Sequence, residues 1–218
     1  PAPSARSALT IISEILERYD PRKVIVYSRD ELKQFEMQQI WSEKDYPIRY
    51  FIGDIRDYKS LISVFQKYEP EFVFHLAAQP LVRESYINPK ETYDINIGGL
   101  VNLLECCRLT ESVKVIVNVT SDKCYENVEW DWGYRENDRL GGHDPYSASK
   151  ASAELAIQSH ISSFFPLKKT KVFIGIARAG NVIGGGDWAK NRIIPDLIRG
   201  IIKKETVFVR NPSSTRPW

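Results

Sequence analysis

Tyr146 and Lys150 stand four residues apart, a spacing that puts both side chains on one face of a helix. An ammonium group beside a phenol favours the phenolate, in a group that ordinarily titrates near ~10. The pairing makes a tyrosine usable as a base near neutral pH. A second segment, Val119-Thr120-Ser121-Asp122-Lys123-Cys124-Tyr125, closes an apolar run and adds a hydroxyl, a carboxyl and an amine. Open α/β sheets bind their ligands at the carboxyl ends of strands. Ser121, Asp122, Lys123, Tyr146 and Lys150 are therefore expected to surround one pocket, where they would take, give and hold protons.

For that to happen, 113–119 must be a strand and Pro145, suited to the first helical position, must open a helix. The rest of the chain supports such a frame. Apolar, β-branched runs at 23–28, 48–52, 72–76, 113–119, 172–177 and 207–209 alternate with amphipathic stretches at 8–19, 31–42, 58–67, 89–108, 145–164 and 193–203. This alternation predicts an α/β fold, a doubly wound parallel sheet with helices on both faces. The connection 126–143, rich in Trp, Gly, Arg and Asp, is long for a loop and reads as functional. Leu100, Leu103, Leu104, Ala148, Ala151, Ala156 and Ile157 give two helices apolar faces, for burial within one subunit or between two.

With 218 residues, 43% of them hydrophobic, the chain is long enough to bury a core. A formal charge of +2, with scattered basic residues, argues against nucleic acid or a membrane surface as partner and leaves an anionic small molecule open. No apolar run is long enough to span a bilayer, and the first residues lack the apolar core of a signal peptide, so the expected address is cytoplasmic. Cys106, Cys107 and Cys124 form no disulfide pattern, and His75, His143 and His160 no ligand spacing, so no metal is expected.

Several further motifs occur in order: Phe74-His75-Leu76-Ala77-Ala78-Gln79-Pro80, Trp132-Gly133-Tyr134-Arg135-Glu136-Asn137, and Arg178-Ala179-Gly180-Asn181-Val182-Ile183-Gly184-Gly185-Gly186-Asp187-Trp188, followed by Arg210-Asn211-Pro212 through Arg216-Pro217-Trp218. With Tyr146-x-x-x-Lys150 and the Thr120–Tyr125 segment, the chain from Tyr68 onward resembles the extended short-chain dehydrogenase/reductases, in particular the nucleotide-sugar 4,6-dehydratases of the CDP-glucose type. The resemblance implies NAD or NADP as cofactor, a nucleotide-sugar substrate and a homodimer. It also implies a cycle in which the sugar is oxidised at C4, water is eliminated across C5 and C6, and the hydride returns to C6. Tyr146 would then take the C4 hydroxyl proton and Ser121 bond the same oxygen. Asp122 would be the acid at C6, Lys123 the base at C5, and Lys150 would bond the nicotinamide ribose. Asp54 and Ile55 look like the pair that meets the adenine. Ala77, Ala78 and Gln79 resemble the segment beside the cofactor's phosphates and ribose, and Asn96 the helix asparagine that supports the site. Asn181, Arg192 and Arg216 are candidates for the sugar-nucleotide diphosphate, and the 184–186 glycines for a turn shaping its pocket.

The opening of the chain departs from that pattern. The first glycine is Gly53, so the first strand and glycine-rich turn of a dinucleotide fold are expected to be lacking, which would leave two unpaired sheet edges. Residues 1–178 read as an N-terminally incomplete dinucleotide-binding domain, and 179–218 as the start of a truncated substrate-binding portion. Ser28 and Arg29 occupy the place where an acid would bond the ribose of NAD or an arginine the 2′-phosphate of NADP, with Asp30 an alternative ribose acid. Val24 through Gln34 look more like the inverting UDP-N-acetylglucosamine 4,6-dehydratases. That substrate, and a non-catalytic fragment that binds sugar nucleotide, are the alternatives to CDP-glucose.

Overall fold

The computed structural model describes residues 3–166, 171–182, 188, 192–209 and 211–213, with side chains from residue 8 onward. In chain order the elements are α1 (Pro3–Arg18), β1 (Val24–Ser28), α2 (Glu31–Ile40), β2 (Ile48–Ile52), α3 (Tyr58–Tyr68), β3 (Phe72–His75), α4 (Val82–Ile87), α5 (Pro89–Tyr93), a π-helical segment (Asp94–Gly99), α6 (Leu100–Arg108), β4 (Val115–Ser121), a 3₁₀ turn (Asp122–Cys124), α7 (Pro145–Phe164), β5 (Phe173–Ala179) and α8 (Ile193–Lys203).

Local chemistry sets the helix boundaries. Asp30, Asp57 and Asp144 each accept a backbone N–H of the first turn, and Pro145 follows the last of these caps. Helix α3 stops at Glu69, whose φ of 45° is left-handed, immediately before Pro70. All strand pairs are parallel, but they form two sheets rather than one: β1 with β2, and β3-β4-β5. Among the described residues nothing pairs with the second edges of β1 and β3. Tyr27 of β1 links the sheets by packing against the cluster of Leu61, Phe65, Val73, Leu103, Cys106, Cys107, Val113, Ile116 and Phe165. On the opposite side of β1, Val24 and Val26 pack with Ile12 of α1 and Met37 and Trp41 of α2.

Helices flank the parallel sheets, as expected of the fold, and against the three-stranded sheet the described ones lie on one side. One face meets α3, α6 and α7, whereas Phe72, Phe74 and Phe173 on the other are exposed. Leu100, Leu103, Leu104, Ala151 and Ile157 are buried within the single chain. The outward side chains of α6 and α7 are instead Val101 and Leu155. Residues 207–209 form no strand, because an apolar β-branched run of three has no ladder to join. The 89–108 helix is real but not uniform, since its middle turn is π-helical.

Candidate active site

The three-stranded sheet ends its strands at His75, Ser121 and Ala179, all on one edge because the ladders are parallel and in register. The proton-handling residues gather there. At the end of β4 the Ser121 hydroxyl donates to Asp122 Oδ1 at 2.9 Å and accepts the Lys123 N–H at 3.2 Å, which winds Asp122–Cys124 into its tight turn. Across from it, α7 is anchored at its start. Asp144 Oδ1 accepts the Ser147 N–H at 3.0 Å, and the fully buried Ser85 of α4 accepts the Tyr146 N–H at 3.2 Å. The Tyr146 phenol is thereby carried beside the Ser121 side chain, near enough for that hydroxyl to act on it.

The electrostatics differ in one respect from the expectation. Burial pushes the Tyr146 phenol above its ordinary value, while the Ser121 hydroxyl and the Arg192 charge pull it down; Asp122 and Asp144 add to the rise. Arg192, at the start of α8, is thus a cation that acts on Tyr146. Lys150 is itself 7% exposed. Burial lowers its ammonium to about 8, opposed by Cys124 and Glu154.

The predicted cofactor residues lie along the same edge, continued onto the smaller sheet. Ser28 ends β1, and its hydroxyl accepts the Asp30 N–H at 3.2 Å. Asp30 is occupied as the cap of α2 and as the ion-pair partner of Lys33, which argues against its use as a ribose acid. Arg29 reaches Asp54 at 3.6 Å and Glu91 at 3.7 Å. Hydrogen bonds from the Arg56 side chain hold the Asp54 carboxyl below its usual range. Ile55 is buried against Gly99, where an added Cβ would sit 2.4 Å from Ile55 Cδ1, so a larger residue there would force the Ile55 side chain to move. Ala77 and Ala78 follow β3 with no side chain beyond Cβ. Gln79 is fixed by Asn96, whose Oδ1 accepts its N–H at 2.8 Å and whose Nδ2 donates to its carbonyl at 3.2 Å and to Ser149 Oγ at 2.9 Å. Ser149 Oγ donates to the Tyr146 carbonyl at 2.7 Å. One asparagine therefore joins the segment after β3 to the helix bearing Tyr146 and Lys150.

Of the substrate candidates, Arg192 is brought to Tyr146 and Asn181 is exposed shortly after β5. Arg216 and the 184–186 glycines lie outside the described residues. The connection 126–143 is tied back by Glu126 N–H to Arg139 O and Gly141 N–H to Cys124 O, both at 2.9 Å. Sequence reasoning gave no role to Ser85, Glu154 or Arg178. Glu154 carried a signal, an acid one turn after Lys150 in a run of small and apolar residues.

The GDP-mannose 4,6 dehydratase family model matches residues 11–211. CDP-glucose 4,6-dehydratase of Salmonella typhimurium is 54% identical over 170 residues, which cover 77% of this chain and 47% of that protein. The inverting UDP-N-acetylglucosamine 4,6-dehydratase of Campylobacter jejuni subsp. jejuni is 35% identical over 211 residues, 96% of this chain and 55% of that protein. The chain spans about half the length of these curated relatives. In fold it resembles the crystal structure of a dTDP-glucose 4,6-dehydratase double mutant from Streptomyces venezuelae with NAD bound, with a TM-score of 0.78 at 20% identity, covering 93% of this chain and 60% of that one. No described helix is long and apolar enough to cross a membrane. A family match over most of its length, on a parallel sheet with these residues at one edge, makes this chain an extended short-chain dehydrogenase/reductase belonging to the GDP-mannose 4,6 dehydratase family.

Proposed function

We propose that this protein is a cytoplasmic nucleotide-sugar 4,6-dehydratase that converts CDP-glucose to CDP-4-keto-6-deoxyglucose with NAD or NADP. The observation that carries the reading is the meeting of Tyr146 and Ser121 beside Asp122, with Lys150 one helical turn further on. The similarity to the Salmonella enzyme supports the choice of sugar. Arg29, Asp54, Ile55, Ala77, Ala78, Gln79, Asn96 and Lys150 fit a dinucleotide: a carboxylate for the adenine amino group, a cation at the end of β1, two small residues and a fixed backbone for close approach, and an amine for the ribose. Bound nicotinamide supplies reversible hydride acceptance.

The chain's own residues move the protons. Tyr146 takes the proton of the C4 hydroxyl, whose oxygen Ser121 also bonds. Lys123 takes the C5 proton, and Asp122 protonates the departing C6 hydroxyl so that it leaves as water. Asn181 and Arg192 bind the diphosphate, in a substrate-binding portion that begins at residue 179. A homodimer would form across the outward side chains of α6 and α7.

The test is incubation with CDP-glucose and NAD or NADP, followed by the alkaline absorbance of a 4-keto sugar, with UDP-N-acetylglucosamine in parallel. Product from CDP-glucose alone is expected. Product from UDP-N-acetylglucosamine alone would favour the second reading, which rests on the Val24–Gln34 segment and on the 35% identity to the Campylobacter enzyme. Silence with both sugars, and no dinucleotide binding, would reject catalysis for this chain.

A further inference from the structure

Glu154 is fully buried one turn beyond Lys150 on α7, and its carboxylate collects donors from two strands of the sheet. Thr120 Oγ1 of β4 donates at 2.6 Å. The Cys124 thiol, on the turn that carries Asp122 and Lys123, lies near enough to lower the carboxyl further. Arg178 of β5 donates through Nε, at 2.8 and 2.9 Å from the two carboxylate oxygens, and through Nη2. Burial pushes the Glu154 carboxyl up, but these bonds together outweigh it and hold the group below its usual range.

Arg178 extends the network outward. Its Nη1 donates to Tyr125 Oη at 2.8 Å and to the Glu136 carbonyl at 2.9 Å, and its guanidinium lies 4.7 Å from the centre of the Tyr125 ring. Tyr125 stacks on Tyr134 at 5.1 Å, and Trp130 lies 5.5 Å from Tyr134. The Tyr134 hydroxyl donates to Asn127 Oδ1 at 3.0 Å and accepts the Val128 N–H at 2.8 Å. One ion pair is thus bonded to the β4 end, to Tyr125 where the 3₁₀ turn ends and to the loop that returns to α7.

We propose that Glu154 and Arg178 are positioning residues that hold the Asp122–Lys123 turn in register with Tyr146 and Lys150 and fasten the 126–140 loop beside them. The inference rests on the dehydratase reading above. Stability alone is a poor explanation for the pair, since well-packed apolar residues replace buried ion pairs at little or no cost in stability. An apolar pair would fill the space but would make none of the bonds to Thr120, Tyr125 and Glu136.

That contrast supplies the experiment. The double substitution Glu154→Leu with Arg178→Met is expected to keep the parent's thermal midpoint, whereas backbone amides of residues 122–127 and 133–138 exchange about tenfold faster. With CDP-glucose its kcat is expected to fall roughly 100-fold with KM changed less than about threefold, as a small misplacement of reacting groups predicts. If the double variant does not fold, Glu154→Gln, which preserves side-chain shape, is read in the same way. Parent-like exchange in both segments, or an unchanged kcat, overturns the positioning role. A parent that turns over no nucleotide sugar rejects the dehydratase reading alone, and amide exchange then decides this proposal by itself.

Discussion

Tyr146→Phe is expected to reduce kcat for CDP-glucose by about 10²–10⁴-fold, the range that a positioned general base contributes, while dinucleotide binding persists. The substitution removes one oxygen from a side chain that is 8% exposed and lies beside Ser121, so the ring's packing is retained. Loss of one neutral hydrogen bond costs about 1 kcal/mol of stability, too little to explain a thousandfold fall in rate. The pH profile adds a second arm. Burial holds the phenol above its ordinary value and Arg192 pulls it down. As pH rises Tyr146 ionises and kcat/KM climbs; Arg192→Gln removes the nearby cation and is expected to move that limb to higher pH. Retention of more than a tenth of the parent kcat in Tyr146→Phe would remove Tyr146 from the role of base.

A second large effect is expected in acid, and its source is His75. Burial at the end of β3, reinforced by the Lys150 charge, lowers its imidazole to about 3 from 6.5. Because the folded value lies below the unfolded one, the unfolded chain takes up a proton between these limits that the folded chain refuses. The associated stability is complete above about pH 6.5 and is lost as pH falls toward 3, by about 1.4 kcal/mol for each unit. Urea unfolding at pH 7 and pH 5 is therefore expected to show a drop of about 2 kcal/mol that His75→Leu abolishes. An equal drop in parent and variant would assign the acid sensitivity to the carboxylates instead. Beside His75 in the sheet register, Asn118 is fully buried with neither amide atom bonded among the described residues. The polar ends of β3 and β4 thus lie against α7, where an apolar pair would have been the simpler packing.

Much of this was legible in the sequence, for identifiable reasons. Helix α7 was fixed at its start by Asp144-Pro145, an expectation that matched the structure, and a spacing of four set Tyr146 and Lys150 one turn apart on it. Five strands fell within two residues of their expected ends, because parallel strands buried among helices are continuous apolar runs. Helix α4 was missed because six residues after a proline carry no helical period. The division into two sheets depends on pairing between distant segments, which local pattern does not encode; only the absence of glycine before Gly53 hinted at it. Glu154 and Arg178 were missed for the same reason, since 24 residues separate partners that meet only once α7 lies against β5.

The π-helical turn at Asp94–Gly99 gives its helix an unusual vulnerability. A π turn holds one residue more than an α turn, and here the extra residue lies between two sets of obligations. On one side Asn96 faces Gln79 and Ser149; on the other Leu100 and Leu104 are buried against Ala153 and Ile157. Removing a single residue between Asn96 and Leu100 would restore a regular helix, yet turn one set by about 100° relative to the other. The segment is therefore constrained in length as well as composition. Variation within this stretch should proceed by exchange of residues and never by gain or loss of one, a signature that reading for hydrophobic period alone would not detect.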